Sequence, residues 1–355
     1  MKRATLRLGL ACNNHCIFCA QRGLDERAGD RDARWLDEKL AALRADADEL
    51  SFVGGEPTIE DALADAIARA RALGFRKIGV QTNARRLAQP GYAESLARAG
   101  LGDVHVSIHG AEAAVHDYHT GVDGSFAQLV AGVAAARAAG LEVAASTVLT
   151  RSNYRVLGAL PWLLKSRDVT AWLVVVPRVA GAAGPAFDRV VPRLGLALPF
   201  ALHALDGARR LGLAAFIQGA PLCALGPLAA RALADEPRAF GAVCDGCAAR
   251  PACPGLDASY LARFGGDELS PREPPADFAA PPAIASSFVG AGELAPALAP
   301  VTAPASAARV SLPLVGKVQP ARREVNAAAP KKSGEALREI FPGLFDRAGG
   351  GEGKP

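Results

Sequence analysis

Along the first half of the chain, short apolar runs alternate with stretches in which apolar residues recur every three or four positions. Residues 6–11, 50–53, 77–81, 104–108, 142–149 and 171–176 read as strands. Between them, 37–47 reads as a helix capped by Asp37. The series Ile59, Leu63, Ile67 and Leu73 reads as a second, stopped by Gly74. Residues 91–99 follow, led by Pro90 and closed by Gly100, then 126–139 and 154–166. Six strands with helices between them predict an α/β fold with a parallel sheet and right-handed crossovers. The sheet is either a partial (β/α)6 barrel or an open doubly wound sheet, which periodicity does not separate. In both, ligands sit at the C-terminal ends of the strands, and every polar motif described below falls at such an end.

The pattern predicts three regions. Residues 1–198 form the α/β core, 199–271 a small cysteine-rich module, and 272–355 an Ala- and Pro-rich tail without periodicity that reads as disordered. Near the end of the tail, Leu337, Ile340, Phe341, Leu344 and Phe345 make a short apolar patch, read either as a docking segment or as a frayed helix. The balance of 40 basic and 36 acidic residues does not point to nucleic acid. The longest apolar stretch is too short to span a membrane. Arg7 interrupts the run before Cys12, so a strand in a cytoplasmic protein is the better reading than a lipid-anchored leader.

The seven cysteines fall in two groups, Cys12, Cys16 and Cys19, then Cys223, Cys244, Cys247 and Cys253. Core filler would be scattered, and an odd count suits a disulfide framework poorly. The clustering argues for metal ligation in a reducing compartment. Three thiolates on one loop under-ligate a cubane 4Fe–4S cluster and leave one iron open. A zinc site using His15 is the alternative, awkward because His15 directly precedes Cys16.

The run Cys12-Asn-Asn-His-Cys16-Ile-Phe-Cys19, with Phe18 before its last cysteine, resembles the signature of the radical S-adenosylmethionine (SAM) superfamily. Gly54-Gly55-Glu56-Pro57, at the end of the second strand, is similar to a second motif of that family. The resemblance implies that Cys12, Cys16 and Cys19 hold a 4Fe–4S cluster whose open iron takes the amino and carboxylate groups of SAM. It implies that Gly54, Gly55 and Glu56 contact the methionine amino group, with Pro57 fixing the loop exit. Two glycines would let backbone approach the ligand. Asn83 lies in Gln81-Thr82-Asn83, similar to the family's third-strand turn except that Ala84 replaces a common glycine. Ser107 and Thr147 close strands four and five as further cofactor contacts. His109, His116 and His119 cluster after strand four, either lining the substrate pocket or capping a surface loop, with His109 best placed to face the site and Ser125 expected to cap the next helix.

Cys223, Cys244, Cys247 and Cys253 resemble a reduced form of the SPASM or twitch auxiliary domain, with Asp257 where a full version has another cysteine. Four thiolates close either a second, auxiliary 4Fe–4S cluster, the favoured reading, or a zinc site. The implied chemistry is reductive cleavage of SAM to a 5′-deoxyadenosyl radical that takes hydrogen from a substrate. The leading substrate is a ribosomally made peptide. The alternatives are a small molecule in cofactor biosynthesis, or a non-catalytic iron–sulfur or zinc protein for electron transfer or binding. A one-electron reductant such as flavodoxin or ferredoxin is the implied partner.

Overall fold

The computed structural model describes residues 3–24, 32–233, 235, 238–273 and 288. Its sheet has eight strands in sequential order, all parallel: β1 (Arg3–Gly9), β2 (Glu49–Gly54), β3 (Lys77–Thr82), β4 (Asp103–Ser107), β5 (Glu142–Val148), β6 (Ala171–Val175), β7 (Ala214–Gln218) and β8 (Ala232–Leu233). The helices are α1 (Ala33–Asp46), α2 (Leu63–Ala72), α3 (Tyr92–Ala99), α4 (Ala113–Thr120), α5 (Ser125–Ala138), α6 (Leu160–Ser166), α7 (Phe187–Val190), α8 (Leu194–Arg210) and α9 (Ala258–Phe264).

Alternation along each strand separates two faces. Phe52, Val80, Val104, Val143, Trp172 and Ile217 point to the helices and join Leu40, Ile67, Leu96, Leu129 and Leu205 in the main core. The other face is mixed. Its β5–β7 side carries Ala144, Ala171, Leu173 and Phe216, packed with Phe288. Its β1–β4 side carries polar residues, including Arg3, Glu49, Asp103 and His105. Arg3 on β1 reaches across to Asp103 on β4 and lies 3.9 Å from Glu49 on β2, all three being buried.

The sheet differs from the sequence reading in extent. The boundary expected at 198/199 falls inside α8, which runs through Pro199, and β7 after it pairs in parallel with β6. The short β7, with only Phe216 and Ile217 as large apolar residues, gave too little apolar signal to be counted. Local starts also differ. α1 begins four residues early because Asp32, not Asp37, accepts from the Trp35 amide. Ile59 lies in a separate 3-10 turn (Pro57–Ile59) ahead of α2. The segment read as one helix at 154–166 is a 3-10 turn (Tyr154–Ala159) running into α6. Ser125 does not cap α5 with its own side chain. Asp117 on α4 accepts from the Ser125 hydroxyl and the Gly124 and Phe126 amides. Beyond residue 273 only Phe288 is described, so the expected tail and its apolar patch at 337–345 lie outside the described residues. No described helix is long and apolar enough to cross a membrane.

Candidate active site

β1 runs into the cysteine loop, and backbone contacts from four directions hold that loop. Gly9 O accepts from Gly55 N at 3.0 Å and Ala11 O from Glu56 N at 2.8 Å. His15 N donates to Thr120 O at 2.7 Å and Ile17 N to His119 O at 3.2 Å, so the C-terminal end of α4 carries the middle of the loop. Cys19 O accepts from Ala182 N at 2.9 Å. Arg85 donates to Asn13 O and, at 2.8 Å, to Asn14 Oδ1. Arg85 escaped the sequence reading because a lone arginine after a turn carries no signal of its partner.

Cys12, Cys16 and Cys19 all line one cavity of about 610 Å³ at the C-terminal ends of the strands. Burial, then the neighbouring Cys19 and Cys12, push the Cys16 thiol up to about 12, and burial raises Cys12 as well. Three thiolates lining one cavity would repel one another unless a bound cation offsets their charge. This donor set therefore fits an iron–sulfur cluster, which ligates thiolates and carries that charge. None of the seven cysteines forms a disulfide. Among the described residues, no three His, Cys, Asp or Glu side chains are grouped around a point that a single metal ion would fill.

Gly54, Gly55, Glu56, Asn83, Ser107 and His109 also line the cavity. Packing requires both glycines. A Cβ on Gly55 would stand 2.1 Å from Ala11 O, and one on Gly54, at φ 142°, would stand 2.3 Å from Gly9 O. Only glycine lets β2 exit this close to the root of the cysteine loop. Glu56 is buried, and its carboxylate is engaged within the protein. Oε1 accepts from Thr58 N at 3.0 Å, Thr58 Oγ1 at 2.7 Å and Thr82 Oγ1 at 2.6 Å, while Oε2 accepts from Asn83 N at 2.6 Å. Through these bonds it cross-links the β2 and β3 exits. Pro57 starts the 3-10 turn, as expected of a loop-fixing residue. Asn83 Nδ2 donates to Asn13 Oδ1 at 2.7 Å, tying the β3 exit to the cysteine loop. Ala84 takes φ 62°, the conformation that a glycine would supply there.

Thr147 is a correction. It is fully buried on the helix-facing side of β5, donating to Ile108 O at 2.6 Å and accepting from Trp172 Nε1 at 2.9 Å. Alternation puts Ser146 and Val148 in the cavity instead. The histidines form neither a surface loop nor a set of pocket-lining groups. His116 lies under His109, their rings stacked at 5.7 Å, and accepts from the His109 amide at 3.2 Å. His119 Nε2 sits 2.7 Å from Thr150 Oγ1. Of the three only His109 lines the cavity, edge-on to Phe18 at 4.6 Å. Burial drives its pKa well below the usual imidazole value.

The second cysteine group lies past β7. Cys223 and Cys244 fall in separate 3-10 turns, Leu222–Ala224 and Ala242–Cys244. Cys253 Sγ accepts from Leu222 N at 3.5 Å, beside Cys223. Burial raises the Cys223 thiol, and Cys253 and Cys244 raise it further. Cys247 Sγ instead meets the backbone of Arg272. Asp257 caps α9 and accepts from Val179 N at 3.2 Å, which joins this segment to the β6 exit.

A three-cysteine loop, a double-glycine exit packed on it and a cavity over parallel strand ends are the parts of one family's domain. Residues 6–154 match the family model of the Radical SAM superfamily. That stretch is similar to a radical SAM domain. A probable GTP 3′,8-cyclase of Methanothermobacter thermautotrophicus is 35% identical over 108 residues, 29% of this chain and 34% of that protein. An AdoMet-dependent heme synthase of Nitratidesulfovibrio vulgaris is 28% identical over 186 residues, 51% of this chain and 49% of that one. The GTP 3′,8-cyclase of Mycolicibacterium smegmatis is 37% identical over 39% of each chain. The chain spans about half the length or less of these curated relatives. Among solved structures, Streptococcus suis SuiB bound to S-adenosylmethionine has the same fold, with TM-score 0.52 at 16% identity, over 61% of this chain and 50% of that one.

Proposed function

We propose that the protein is a radical SAM enzyme acting on a small-molecule substrate. The observation that carries this reading is the junction of three thiol donors with a glycine-packed loop at the mouth of one cavity of about 610 Å³, a size typical of small-molecule sites. In this reading Cys12, Cys16 and Cys19 ligate three irons of a 4Fe–4S cluster, leaving the fourth for SAM. When bound, the cluster and SAM would supply one-electron reductive chemistry and hydrogen abstraction from the substrate. The chain's own residues position and exclude. Glu56 locks the β2 and β3 exits, Asn83 and Arg85 hold the cysteine loop, and Ser107, on the cavity wall, would meet the cofactor. The Phe18–His109 pair shuts one side of the loop from water.

Small-molecule chemistry is favoured over peptide maturation because the relatives aligned through sequence are named for GTP cyclisation and heme synthesis. The likeness to SuiB is one of fold alone. Cys223, Cys244, Cys247 and Cys253 would hold an auxiliary 4Fe–4S cluster, with zinc the alternative, in a module smaller than the 199–271 of the sequence reading because β7 belongs to the sheet. A low-potential flavodoxin or ferredoxin in a reducing cytoplasm would supply the electron.

The test is anaerobic reconstitution with iron and sulfide, then addition of SAM and dithionite. The expected result is a brown protein that releases 5′-deoxyadenosine and methionine, with Cys16→Ala releasing neither. Stoichiometric zinc and no iron or sulfide at the N-terminal loop would overturn the reading.

A further inference from the structure

The floor of the cavity holds polar atoms that neither the cysteine loop nor the packing uses. Gln81 on β3 and His105 on β4 are partners in the sheet register, and both line the cavity. His105 is 2% exposed, and among the described residues neither ring nitrogen has a hydrogen-bond partner; Gln81 Oε1 is buried and likewise unmatched. Leaving such groups dry is unfavourable, so a fold that keeps three of them open at one place is arranged for something that fills it.

The surroundings narrow what that is. Beneath, Arg3 pairs with Asp103 and lies 3.9 Å from Glu49, and neither carboxylate lines the cavity. Above, Glu56 already accepts four hydrogen bonds and Arg178 pairs with Asp235 at 2.8 Å. Along the register from His105 the inner positions turn small and apolar, Ala144 and then Ala171, with Phe288 edge-on to the imidazole at 5.1 Å. Leu173 and Val175 form the opposite wall. Burial, and then Arg3, push the imidazole down to about 3. His105 is therefore neutral at any working pH, with one nitrogen donating and the other accepting.

We propose that Gln81 and His105 form the bottom of the substrate subsite and select an uncharged small molecule bearing an amide- or lactam-type edge, N–H beside C=O, with its apolar face against Leu173 and Val175. Arg22 lines the same cavity but follows the cysteine loop; at the floor, beside Gln81 and His105, an ion would lose its hydration with no described unpaired charge to replace it. A plain hydrocarbon would leave three polar atoms unmatched, the situation in which hydrogen-bonding sites discriminate most strongly. The inference rests on the cavity being the radical SAM active site proposed above.

The experiment is calorimetric titration of anaerobic, SAM-loaded holoprotein with two bicyclic probes of like size, quinolin-2-one and 2-naphthoate. The lactam is expected to bind at least tenfold more tightly than the carboxylate. His105→Phe should weaken the lactam about tenfold, and His105→Gln, which keeps a donor and an acceptor, should stay within a few fold. Gln81→Leu serves the same purpose if the phenylalanine variant does not fold, as judged by its melting midpoint. Equal binding of the two probes, no lactam binding, or wild-type affinity in the folded variants would each overturn the proposal. The wild type's own release of 5′-deoxyadenosine separates the two ideas. Its presence with no lactam preference sinks only this inference, and its absence sinks the reading beneath it.

Discussion

Glu56 shows what a motif residue holds together once its neighbours are known. Four donors converge on one buried carboxylate, so replacing it with an amide points an NH₂ group at groups that themselves donate. Glu56→Gln is expected to lower unfolding stability by about 2–3 kcal/mol, read from urea denaturation, and to reduce iron loading because the β2 and β3 exits come apart. Buried histidines give a second test. The imidazole of His116 is pushed down to about 4 and that of His105 to about 3, chiefly by burial, while an unfolded imidazole titrates near 6.5. Below pH 6.5 the unfolded chain therefore binds protons that the folded chain refuses. The stability these groups contribute is whole above pH 6.5 and falls as the pH drops toward 4, by about 1.4 kcal/mol per pH unit for each. Denaturation midpoints that stay level between pH 7 and pH 5 would contradict their burial as neutral rings.

At the scale of elements, glycines mark where one piece of backbone passes against another. Gly132 lies within α5, where a change to alanine ordinarily gains up to about 1 kcal/mol. Here the added Cβ would meet Ala84 O at 2.0 Å, so Gly132→Ala is expected to destabilise. Gly207 in α8 has nothing within 4 Å of that position, and Gly207→Ala should stabilise by roughly 0.5–1 kcal/mol. Opposite shifts in melting temperature for two helix glycines would establish the contact between α5 and the β3 turn. Gly55→Ala should prevent the close seating of the β2 exit on the cysteine loop, lowering the iron retained after reconstitution. The strand-and-helix rhythm was legible in sequence for six βα units. β7 was not, because a five-residue strand with only Phe216 and Ile217 as large apolar residues looks like its flanking segments until a neighbouring strand pairs with it. The same limit hid the face of Thr147: a one-residue uncertainty in a strand reverses inside and outside.

Across the whole molecule, Arg3, Glu49 and Asp103 bind the first, second and fourth strands together from within the sheet's concave side. Removing the cation alone leaves two buried carboxylates facing each other, so Arg3→Met is expected to cost about 3–5 kcal/mol. A double variant, Arg3→Met with Asp103→Leu, should recover part of that loss, which equilibrium unfolding would show. The candidate metal donors were legible in local sequence. Cysteine spacing and the Gly-Gly-Glu-Pro run specify their donors and their turn wherever they lie in space, because ligand type and backbone freedom are properties of the residues themselves. Which polar residues share the cavity was decided only by the tertiary structure. Gln81, His105 and Ser146 are far apart in the chain and carry no common pattern. They meet because parallel strands in register bring every second side chain to one face, and register is set by packing of the whole sheet.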